Sequence, residues 1–69
     1  MNEIFVKRLI ELRTTAGLSQ RKLAKEIDVS YAAVQYWERN RSNPDAESII
    51  RLAKFFDVSA DYLLGLTDD

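Results

Sequence analysis

The sequence predicts an all-α fold, a compact bundle of five short helices, and three observations predict it. Apolar residues recur at helical spacing, and no segment alternates apolar and polar residues as a half-buried strand does. Only two glycines and one proline interrupt the 69 residues. Ser, Asp and Gly stand at the breaks, where helices start and stop. Five helices in this length leave connections of about two to six residues, which fits a single all-α domain over residues 1–69. There is no internal repeat, low-complexity stretch or linker to a second domain.

The first helix is expected from Glu3 to Ala16, with Phe5, Leu9, Leu12 and Ala16 on one stripe. Val6 and Ile10 lie off that stripe and read as partly buried edges. Gly17 ends the helix as a C-terminal cap. Ser19 opens the second helix as its N-cap, and Leu23, Ala24 and Ile27 form its apolar face. Asp28-Val29 is a tight break. Ser30 caps a third helix from Tyr31 to about Arg39. Residues 40–43 form a polar loop, and Asp45, after Pro44, caps a fourth helix from Ala46 to about Phe56. Ile49, Ile50, Leu52, Ala53 and Phe56 are expected on its buried side, and Phe55 and Phe56 read as packing residues. Ser59 caps a short fifth helix from Ala60 to Leu64, closed by Gly65.

Composition removes several kinds of chemistry. The chain has no cysteine, hence no disulfide or thiolate nucleophile, and no histidine, hence no Ser-His-Asp arrangement or zinc enzyme of the usual kind. No apolar run approaches the roughly 18 residues of a membrane span. The expectation is a cytoplasmic protein that is not an enzyme and needs no cofactor or metal. Net charge is −1, but it is unevenly spread. Residues 20–41 carry Arg21, Lys22, Lys25, Arg39 and Arg41 against three acids, whereas residues 42–69 carry two bases against six acids. Solvated surface charge explains such small numbers as well as a binding function does.

The third helix is more informative because its two sides differ. At about 100° per residue, Ala33, Val34 and Trp37 fall on one arc, which places Trp37 in the core. Tyr31, Ala32, Gln35, Tyr36 and Arg39 fall on the other. A purely solvated face would carry Lys and Glu pairs. This one carries flat, small and hydrogen-bonding groups with a cation at its end, which suit base edges and the thymine methyl in a major groove. A surface that merely tolerates tyrosine would look the same on this face alone.

The run Leu18-Ser19-Gln20-Arg21-Lys22-Leu23-Ala24, then Ile27-Asp28-Val29-Ser30, Val34-Gln35-Tyr36-Trp37-Glu38-Arg39 and Asn43-Pro44, resembles the Cro/repressor-type helix-turn-helix family of the lambdoid phage repressors. Leu52 to Ser59 and Tyr62-Leu63-Leu64-Gly65 look like that family's fourth and fifth helices, so the resemblance runs from about Phe5 to Gly65. It implies a sequence-specific double-stranded DNA-binding transcriptional regulator, expected to be a repressor, that reads the major groove with helix 31–39. Gln20 matches the family's phosphate-clamping glutamine, Ser30 an N-cap that also touches the backbone, and Arg39, Asn40 and Arg41 the loop that follows the phosphates. Arg21 is a further expected phosphate contact. Tyr31, Ala32 and Tyr36 match base-reading positions, with Gln35 beside them. Arg13 and Glu38 match an Arg–Glu pair that ties the first helix to the third. The turn carries Asp28 where the family prefers glycine, and aspartate tolerates the left-handed conformation better than most residues.

The implied partner is a palindromic operator bound by a homodimer, at least on DNA. Tyr62, Leu64 and Leu66 exceed what the core can absorb and are the expected dimer contact. The rival reading is a protein-interaction module that kept the fold and does not bind DNA, for which the net charge of −1 is the best support.

Overall fold

The computed structural model describes residues 2–68. It contains α1 (Glu3–Thr15), α2 (Gln20–Glu26), α3 (Tyr31–Glu38), α4 (Ala46–Phe56) and α5 (Ala60–Leu64), with no strand among the described residues.

All five helices start by one device. Asn2, Ser19, Ser30, Asp45 and Ser59 hold extended backbone, and each side chain accepts a hydrogen bond from the backbone N–H three residues on. Each cap satisfies a donor that the first turn leaves unpaired. They also end alike. Gly17, Asp28, Asn40, Asp57 and Gly65 have positive φ, between 55° and 81°. The N–H that follows each one reaches back across the last turn: Leu18 to Arg13, Val29 to Ala24, Arg41 to Tyr36, Val58 to Ala53, and Leu66 to Asp61. This is the Schellman closure, in which an apolar residue normally follows the left-handed one. Leu18, Val29, Val58 and Leu66 obey that rule. Arg41, after α3, does not.

Phe5 and Leu9 of α1, Leu23 and Ala24 of α2 with Ile27, Val34 and Trp37 of α3, Leu52 and Ala53 of α4, and Leu63 of α5 form one buried core. α1 packs across α3 and α5, α2 lies against α3, and α4 lies against α5. The partly buried Val6, Leu12, Leu18, Val29, Ala33, Phe56 and Val58 extend the core outward.

Three sequence expectations are corrected. Ile50 is 50% exposed, not buried. It lies about 160° around α4 from Leu52, on the far side of the helix from the core, and Ser48 takes the buried place instead. Phe55 is exposed and sets the edge of its ring against Phe56, with centroids 5.0 Å apart. Ala16 is exposed because α1 stops at Thr15, leaving Ala16 as the C-cap at the surface. α3 likewise stops at Glu38, with Arg39 as its C-cap.

Candidate nucleic-acid interface

α3 is held on the body from one side only. Val34 and Trp37 are buried and Ala33 is half-buried, while Ala32 and Tyr36 face solvent. The N-terminal end is set by Ser30, whose Oγ accepts from Ala33 N at 3.0 Å. The C-terminal end turns at Asn40, in the left-handed region at φ 56°, and leads into the exposed Arg41. Arg39, Asn40 and Arg41 therefore stand together at one end of the exposed face.

The base of α3 is pinned by a polar network that joins three helices. Arg13 of α1 grips Glu38 with both sides of its guanidinium, Nε to Oε2 at 2.6 Å and Nη2 to Oε1 at 3.0 Å. Its third nitrogen, Nη1, donates to Leu18 O at 2.9 Å. Gln20 of α2 donates its amide to Glu38 Oε1 at 2.9 Å. The side chains are only 15% exposed for Arg13 and 5% for Glu38. Gln20, expected to clamp phosphate, is thus anchored through its amide nitrogen to the inside of the domain.

A second set of contacts orders the exposed face. The Arg21 guanidinium lies over the Tyr31 ring, 4.1 Å from its centroid. The Tyr31 hydroxyl accepts a hydrogen bond from Gln35 Nε2 at 3.0 Å, one turn along α3. Both Tyr31 and Gln35 are half-buried as a result. Lys22 pairs with Glu26 at 3.2 Å, and Lys25 stays exposed.

Sequence reasoning missed Arg51. Its Nη1 donates to the carbonyls of Ile27 and Asp28, each at 3.2 Å, and its Nη2 to Glu47 Oε1 at 2.8 Å. It therefore closes the end of α2, where the chain turns through the left-handed Asp28. The Glu47/Arg51 spacing of four is visible in the sequence, but the link to the turn is not. Arg8 was missed too. It stacks on the Tyr62 ring at 4.1 Å and donates to the carbonyls of Tyr62 and Thr67, the latter at 2.7 Å. Of the three expected dimer residues, Tyr62 and Leu64 are half-buried and only Leu66, at 73%, is fully presented to solvent.

Among the described residues no cluster of three acidic, His or Cys side chains is placed to hold a metal ion. No helix is long and apolar enough to cross a membrane.

Two short helices joined through residues 27–30, the second buried on one side and presenting the other, make a helix-turn-helix unit. The chain belongs to the Helix-turn-helix family, which it matches over residues 9–63. It is 35% identical over 66 residues to the HTH-type transcriptional regulator YobD of Bacillus subtilis, covering 96% of this chain and 59% of YobD. It is 36% identical over 59 residues to the HTH-type transcriptional regulator ImmR of the same organism, covering 86% of this chain and 46% of ImmR. The chain thus spans about half the length of these curated relatives. Among solved structures it superposes with a TM-score of 0.82 and 31% identity on the phage P22 c2 repressor in complex with a synthetic operator, covering 90% of this chain and 94% of that one.

Proposed function

We propose that this chain is a sequence-specific reader of double-stranded DNA and acts as a cytoplasmic transcriptional regulator of the repressor type. The observation that carries the reading is the exposed face of α3. Its Ala32, Tyr36 and Gln35 are presented to solvent or half-presented, while a partly buried Arg13–Glu38–Gln20 network holds the helix to α1 and α2. A short helix pinned from behind and bare in front is what entry into a major groove requires. The fold shared with an operator-bound repressor supports the same reading.

In this reading Tyr31, Ala32, Gln35 and Tyr36 meet base edges. Ser30, Gln20 through the amide N–H that Glu38 leaves over, Arg39, Asn40, Arg41 and one base on α2, Arg21, Lys22 or Lys25, follow the phosphates and set register without reading sequence. One recognition helix covers only a few base pairs, so two copies bind a palindrome with their helices about 34 Å apart. Leu66, together with Tyr62 and Leu64, forms the contact between them.

Selection from random duplexes followed by salt titration tests the proposal. About three phosphates per protomer, six per dimer, give a slope of log K against log salt of roughly −5. Arg41→Ala weakens binding about equally across sequences and makes the slope shallower. A slope near zero on the best duplex, or no enrichment at all, supports a protein-interaction module instead, the reading that the net charge of −1 favours.

A further inference from the structure

We propose that Arg21, Tyr31 and Gln35 form a relay that fixes the Gln35 amide as a selective reader of adenine. The inference rests on the major-groove reading above and deepens it by naming the base and the residues that enforce it.

Glutamine has several freely rotating side-chain bonds, and its amide can present oxygen or nitrogen to a base. Here the amide is turned with its nitrogen toward Tyr31. Gln35 Nε2 donates to the Tyr31 hydroxyl at 3.0 Å, which uses one of its two N–H groups. What remains for a ligand is one donor and one acceptor, side by side. Adenine presents the complementary pair in the major groove, the N7 acceptor and the N6 amino donor. Guanine presents two acceptors, O6 and N7. A free amide can turn both N–H groups toward them, but the Tyr31 hydroxyl already holds one, and Oε1 would then face an acceptor. With its nitrogen on the hydroxyl, the amide matches adenine and mismatches guanine.

The Tyr31 ring is in turn held from the other helix of the unit. Arg21, on α2, covers its face at 4.1 Å. The cation is attracted by the ring quadrupole, and the contact limits the rotamers open to Tyr31 at the start of α3. With Arg21 on the Tyr31 ring, the phosphate contact of α2 falls to Lys22 or Lys25, and Arg21 is a positioning residue. It acts on the base through Tyr31 and Gln35 without touching it.

The test compares the selected duplex with one in which the A·T pair under Gln35 is changed to G·C, at one salt concentration. Gln35→Ala locates that pair by erasing preference there alone. Tyr31→Phe keeps the ring and the stacked Arg21 and removes only the hydroxyl. The ratio of affinities for adenine over guanine is expected to fall roughly five-fold, as loss of one neutral hydrogen bond implies. Arg21→Met is expected to lower the ratio by less, and Arg21→Lys to restore part of it. In the free protein, the Gln35 side-chain amide NMR signals should shift in Tyr31→Phe. An unchanged ratio or unmoved amide signals in Tyr31→Phe overturns the relay. So does a selected site with no adenine under Gln35, and in each of these cases the DNA-binding reading survives. Failure of the wild-type protein to bind any duplex removes both.

Discussion

Replacing Glu38 with alanine removes three hydrogen bonds at once, two from Arg13 and one from Gln20. The larger effect is on what stays behind. The Arg13 side chain is 15% exposed and keeps only its bond to the Leu18 carbonyl. Breaking a buried pair costs about 3–5 kcal/mol, mostly because the other charge is stranded. Some water reaches Arg13, so the lower end applies, about 3 kcal/mol. A domain of this size has a total stability of roughly 3–10 kcal/mol. At about 4–8 °C per kcal/mol, the melting temperature falls by roughly 12–24 °C. Thermal and urea unfolding followed by circular dichroism measure this directly. The double variant Arg13→Met/Glu38→Leu is the control. It removes both charges and fills the space with apolar atoms, so most of the lost stability returns. The reasoning is refuted if Glu38→Ala costs less than about 1 kcal/mol, as a surface pair would. It also fails if the double variant is no more stable than the single one.

Three further outcomes follow from the structure. Hydrogen bonds from Ser48 hold the Asp45 carboxyl below the usual carboxylate range. The ionised group therefore adds stability that is complete above the ordinary carboxylate pKa and is lost as pH falls through the lowered folded value, below about pH 4. The urea midpoint should drop over that window, less steeply in Asp45→Asn; equal pH profiles for the two proteins would count against the cap. Gly65→Ala should destabilise more than Gly17→Ala in thermal melts. Both sites have positive φ, which costs an L-residue about 1–2 kcal/mol, but a Cβ at residue 65 also meets Ile4 at 3.1 Å whereas one at residue 17 meets nothing within 4 Å. Equal losses would mean that Ile4 moves aside freely. Leu66→Glu should leave the melt unchanged and abolish cooperative two-to-one binding to a palindromic duplex. Cooperativity that survives the charge places the dimer contact elsewhere.

Much of the fold was legible because its signals are local. Ser19, Ser30, Asp45 and Ser59 each act on an N–H three residues away, so the helix starts could be read directly. Asp28 could be placed as a left-handed turn residue only through the family resemblance, in which glycine is preferred at that position. Asn40 and Asp57 do the same work as Gly17 and Gly65 but carry a weaker signal, since both residue types are also common in ordinary loops. Ile50 stands about 160° around α4 from Leu52, so helix pitch alone separates it from the buried face, and its apolar character is not enough to place it there.

The candidate site divides along the same line. Sequence alone determined the two-sided character of α3, with Val34 and Trp37 inward and Ala32 and Tyr36 outward, because a helix of known pitch assigns faces by counting. It also determined the basic cluster after α3, which is contiguous in the chain. Tertiary structure alone decided what each polar group is tied to. Gln20 bonds inward to Glu38, Arg21 lies over Tyr31, Arg51 closes the α2 turn from 23 and 24 residues away, and Arg8 reaches Tyr62 and Thr67 across 54 and 59 residues. A cap or a periodic face is encoded by neighbours within a turn or two of helix. A hydrogen bond between distant segments exists only after the apolar core has set the helices side by side, and long side chains such as Arg then bond to whichever carbonyls and rings come within reach.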